Sequence, residues 1–130
     1  MKKFIAIISL SALLTGCASL SEMIPSFWDD NQSARIIDVR QQIENVECKQ
    51  PQLPQARAVL REIQWFELYS ESKGSRQQDV IRIIAPMKET TEDWVKRSET
   101  KEGSESYCNL KKRTLKLQAE RAAQAILGRF

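Results

Sequence analysis

Four apolar stripes recur at spacings of three and four along residues 31–130, and the gaps between them hold proline or glycine. That periodicity belongs to helices with one buried face, and no useful run of strand-like alternation competes with it. Ile36, Val39, Ile43 and Val46 predict a first helix from about Asn31 or Ser33 to Cys48, capped by Asp30 or Asn31. A breaker at Lys49 to Leu53, next to Pro51 and Pro54, separates it from a second helix over Pro54 to Lys73. There Ala56, Val59, Leu60, Ile63, Phe66 and Tyr69 form the stripe, Trp65 falls off it, and Gly74 is the expected left-handed stop. The third segment starts near Ser75 and carries Val80, Ile81, Ile83, Ile84, Met87, Trp94 and Val95, with Pro86 predicting a kink or a break. After a polar loop around Gly103, Ser104 or Ser106 caps a fourth helix over Glu105 to Leu127, with Cys108, Leu115, Ala119, Ala122 and Ile126 as its stripe. The predicted architecture is an all-α, four-helix up-down bundle with one disulfide.

The first residues concern location rather than fold. Met1, Lys2 and Lys3 form a positive start, and Phe4 to Leu14 is an apolar run much shorter than the roughly 20 residues that span a bilayer. Leu14-Thr15-Gly16-Cys17 then resembles the lipobox of bacterial lipoprotein precursors. The resemblance covers only the start of the chain. It implies cleavage after a signal peptide of residues 1–16, acylation of Cys17, and a lipidated tether over residues 17–30. A dozen such residues reach at most about 40 Å when extended. Several acyl chains give stable membrane anchoring, since each buried methylene contributes about 0.8 kcal/mol. Ala18 rather than Asp follows the cysteine, and within Gram-negative families this implies the outer membrane, with the protein facing the periplasm. In a Gram-positive host the same signal implies the outer face of the single membrane.

Charge narrows the partners. The chain has 20 basic and 17 acidic side chains, a net of +3, and loss of the signal removes Lys2 and Lys3, so the remainder is close to neutral. Phosphate recognition needs a concentrated basic surface, which argues against nucleic acid. Lys111, Lys112, Arg113 and Lys116 cluster in sequence but spread around a helical turn as a solvated face, leaving attraction to anionic lipid open. There is no histidine, and with Cys17 acylated no His-containing or cysteine-rich zinc site and no His-dependent triad can form. Neither a metal nor a cofactor is expected.

Cys48 and Cys108 remain as an even pair in an exported, oxidising setting. In an up-down bundle the end of the first helix and the start of the fourth lie at the same end, so a Cys48–Cys108 disulfide is the economical reading. A free thiol or an intermolecular bridge is the alternative.

Three function classes follow. An enzyme would depend on carboxylates, and Glu89, Glu92 and Asp93 are the densest acidic patch, but they need burial to separate their pKa values. A non-enzymatic interaction or assembly module, binding another envelope protein, would use large side chains left at the surface: Trp65, Trp94 and Tyr107 are the candidates, each with core packing as the alternative. A small exported helical lipoprotein of this kind resembles the helical pilotins that escort secretin subunits to the outer membrane. That resemblance is architectural, transfers no binding residues, and implies a groove that receives an amphipathic peptide helix. A phage- or mobile-element-encoded exclusion or envelope-control lipoprotein is the third class. Phe27 and Trp28 are expected to staple onto the domain, with a place at the lipid headgroup level as the alternative, and Phe130 to pack back on the domain or fray.

Overall fold

The computed structural model describes residues 29–128. Cys17, the signal, the tether up to Trp28, and Phe130 lie outside the described residues. Within them the chain is all-helical: α1 is Asp30–Glu44, α2 is Gln52–Ser72, α3 is Gln78–Thr100 and α4 is Glu105–Leu127. One turn of 3-10 helix, Ser75–Gln77, leads into α3. Among the described residues no helix is long and apolar enough to cross a membrane.

The stripes meet in one core. Ile36, Val39 and Ile43 of α1, Ala56, Val59, Ile63 and Phe66 of α2, Val80, Ile84, Met87 and Trp94 of α3, and Cys108, Leu115, Ala119, Ala122 and Ile126 of α4 are all buried. Each helix packs on its sequence neighbour, and α4 also packs on α1. Cross-helix contacts run in opposite order along each such pair. Gln32 meets Ser70 while Glu47 meets Gln55; Lys88 meets Glu67 while Arg57 meets Glu99. Cys48 and Cys108 form a disulfide with Cα atoms 5.5 Å apart, at the end of the domain remote from Asp29.

Several boundaries differ from the expected ones. The cap of α1 is Asp29, whose Oδ1 accepts from the N–H of Gln32 at 3.0 Å, and α1 stops at Glu44, so Cys48 lies in the connecting loop. Lys112 covers the exposed end of α1. Its ammonium donates to the carbonyls of Glu44 and Val46, both at 2.8 Å, and a cation at a helix C-terminus satisfies carbonyls left without intrahelical partners. Lys112 is thus a cap for a distant helix rather than part of a solvated face. Pro54 is the third residue of α2, still in the first turn, where a missing N–H costs nothing. Gly74 has φ +91° and ψ −172°, outside the left-handed helical basin and in a region open essentially to glycine alone. Pro86 does not break the third segment: α3 continues through it. Pro86 and Arg82, whose carbonyl would have bonded to the absent N–H, both lie on the exposed side of α3.

Candidate functional site

The three aromatic contact candidates do not come together. Trp94 is fully buried, and its indole N–H donates to Oε1 of Gln52 at 3.1 Å. It offers nothing to a partner and is withdrawn as a contact residue, because α3 turns it toward the start of α2. Tyr107 is half-buried against the core near the disulfide, with the guanidinium of Arg97 4.4 Å and the ammonium of Lys111 5.5 Å from its ring centroid. It covers the end of the domain and lines a small concavity with Arg97, Lys101 and Ser104.

Trp65 is different. It remains 40 % exposed, on the outer side of α2 where that helix leans toward α1. Arg35 of α1 stands 4.1 Å from its ring centroid, close enough for a cation–π contact. Tyr69, one turn on, stacks on it with centroids 5.2 Å apart and planes 6° from parallel. The i, i+4 spacing of Trp65, Tyr69 and Lys73 places the three in a row, and Lys73 lies 5.2 Å from the Tyr69 ring. At the end of this row stands Asp29, which pairs with Lys73 at 3.2 Å and accepts from the Tyr69 hydroxyl. Burial pushes the Asp29 carboxyl up, but the Gln32 N–H, the hydrogen bond and charge of Lys73, and the Tyr69 hydroxyl together hold it below its ordinary value. Arg35 is fixed in turn by Asp38 at 3.2 Å and Glu62 at 3.4 Å.

Leu68 completes the patch. It lies three residues from Trp65 on the same outward side of α2 and is 64 % exposed. Sequence reading singled out Trp65 but missed Leu68; the available signal was a leucine lying outside the Ile63–Phe66 stripe. Ile37, Leu110 and Leu117 are exposed large apolar side chains by the same criterion. A half-exposed tryptophan, held by a guanidinium and a stacked ring beside an exposed leucine, presents apolar area at little further cost in side-chain freedom.

The acidic patch on α3 is open to solvent. Glu89, Glu92 and Asp93 are all exposed, and Asp93 pairs with Lys111 at 2.6 Å, whose hydrogen bond and charge hold its carboxyl below the usual range. Among the described residues no group of three or more His, Cys, Asp or Glu is placed to hold a metal ion. Comparison of the chain with family models, with curated proteins and with solved structures finds no match.

Proposed function

We propose that this chain is an envelope lipoprotein, anchored by acyl chains on Cys17, whose helical domain is a non-enzymatic interaction module that binds another envelope protein through the outer face of α2. The observation that carries the contact surface is the exposed pair Trp65 and Leu68, with Arg35 and Tyr69 fixing the indole. Large amphipathic side chains held in place dominate the energetics of protein interfaces. Export is supported by the Cys48–Cys108 disulfide, since such bonds persist in oxidising compartments. The lipobox with Ala18 after the cysteine supports the outer membrane, facing the periplasm. The opposite-running contacts between neighbouring helices support an up-down bundle, and the hydrogen bond missing at Pro86 supports a bend in α3. In that arrangement Asp29 lies at the end of the bundle that joins the tether, and the disulfide closes the opposite end.

The test is photocrosslinking in cells from a photoreactive residue in place of Trp65 in the full chain, with a second probe in place of Glu89. One dominant envelope protein captured from position 65, lost on Leu68→Glu and absent from position 89, is the expected result. Equal capture from both positions, or none from a folded and anchored protein, overturns the contact face. Metabolic labelling with a palmitate analogue checks the anchor separately: Cys17→Ser abolishes it if the lipobox is used.

A further inference from the structure

The outer face of α4 has a composition that the core does not explain. Leu110 and Leu117 are 57 % and 50 % exposed, and Arg113 and Arg121 fall between and beyond them at helical spacing. These four residues form a row of about 16 Å at 1.5 Å rise per residue. They stand opposite Cys108, Leu115 and Ala119, which face the core, so the row lies on the outward side of the helix, its crest, and on one flank Arg113 and Leu117 border an open depression with Asn109, Lys112, Lys116 and Glu120.

The cations of α4 divide cleanly. Lys111 is taken by Asp93 at 2.6 Å, Lys112 by the carbonyls of Glu44 and Val46, and Lys116 by Glu44 at 2.8 Å. Arg113 and Arg121 have no ion pair or hydrogen bond from their side chains among the described residues. The two uncommitted cations are therefore the two on the crest with the exposed leucines. Glu120, the neighbouring acid, lines the depression beside Arg113 and Leu117 and, toward α1, a groove with Arg40, but pairs with neither arginine of the crest.

We infer that this crest, Leu110, Arg113, Leu117 and Arg121, is a contact surface for an anionic lipid bilayer. Charge complementarity selects a negative partner, because two uncommitted cations beside exposed leucines are drawn to the negative surface of an anionic leaflet. Shape favours a membrane over a peptide helix: a helical peptide docks in an apolar groove between elements, whereas the depression beside this row is bordered by α4 alone and mostly by polar side chains, and an outward row of leucines and arginines rests on a flat interface with the apolar groups entering the headgroup boundary. Two leucines and two arginines make a weak contact on their own. Its weight in the cell rests on the acylation of Cys17, which holds the domain near lipid and raises the effective concentration.

The binding itself is tested without the anchor. The full chain carrying Cys17→Ser is sedimented with vesicles of phosphatidylcholine alone and of phosphatidylcholine mixed with phosphatidylglycerol. The same background is used for Arg113→Gln/Arg121→Gln, for Arg113→Lys/Arg121→Lys, and for Arg76→Gln/Arg82→Gln, which removes equal charge elsewhere. Residues 1–28 are common to all, and the same variants lacking residues 1–16 separate binding by the basic and apolar start from binding by the crest. The expected result is partition favouring the anionic vesicles, reduced on the order of thirty-fold by the crest Gln pair. The Lys pair and the Arg76/Arg82 pair stay within about two-fold of the parent, since one keeps the crest charge and the other leaves the crest intact. Equal losses from the two Gln pairs, or no preference for anionic vesicles, overturn the proposal, as does capture of protein rather than lipid by a photoreactive residue at Leu117. Failure of palmitate labelling would remove the anchor and leave this vesicle result standing.

Discussion

The indole N–H of Trp94 donates to the side-chain oxygen of Gln52 across 3.1 Å, with both side chains buried. The amide nitrogen of the same glutamine donates to the carbonyls of Gly103 and Ser104, and its backbone N–H donates to Glu102. One side chain thus joins the start of α2, the middle of α3 and the loop into α4, beside the disulfide.

Gln52→Leu keeps much of the volume but leaves the Trp94 N–H and the Gly103 carbonyl without that partner. Each buried polar group left unpaired costs about 1–3 kcal/mol, so a loss of about 2–4 kcal/mol is expected in urea unfolding. An unchanged midpoint would show that these groups find other partners.

Gly103 is required by space. A Cβ there would lie 2.6 Å from Oε1 of Gln52 and 2.8 Å from Cδ1 of Tyr107, both side chains held in place by other contacts. Gly103→Ala is expected to cost about 1–3 kcal/mol, read as a lower melting temperature.

Asp29 supplies a pH-dependent contribution. Its folded pKa lies below the ordinary 3.8, so its charge stabilises the fold above that value, and the contribution is lost as pH falls through the lowered folded value. Asp29→Asn keeps the capping oxygen while removing the charge opposite Lys73. The variant is expected to be less stable than the parent by about 0.5–1 kcal/mol at neutral pH and to converge with it in acid. Parallel stability curves from neutral to acid would contradict this role.

Cys48→Ser opens a loop closed across a sequence separation of 60. The chain-entropy relation gives a loss of about 4 kcal/mol, and reduction of the parent should lower its melting temperature comparably.

Trp65→Ala separates contact from stability. The indole is 40 % exposed and held largely by Arg35 and Tyr69, so unfolding free energy should fall by only about 1 kcal/mol. Pull-down of the protein crosslinked from position 65 should fall at least about ten-fold, the loss of a modest interface hot spot. A large stability loss with undiminished capture would reassign Trp65 to the fold.

Much of the fold was legible because helix periodicity is local. Ile36, Val39 and Ile43 had to share a face whatever packed against them, and so did Cys108, Leu115, Ala119, Ala122 and Ile126. The disulfide was legible from the number of cysteines and from the bundle end at which they fall. The candidate site was legible only in Trp65. Nothing near Trp94 in sequence indicates that it faces Gln52, and nothing near Leu68 indicates that it faces outward.

The sequence by itself determined where helices form and which stripe each one buries, since these follow from spacing along one chain segment; it made the Cys48–Cys108 pairing the economical reading, and the packed helices closed it. Only the tertiary structure decided that Gln32 and Gln52 are buried, that Lys112 closes α1, that Glu102 receives the first N–H of α2, and that Arg113 and Arg121 are left uncommitted. Those outcomes depend on where a buried or charged group finds its partner, and here the partners lie tens of residues away. A polar side chain carries no record of that distance until the helices have packed.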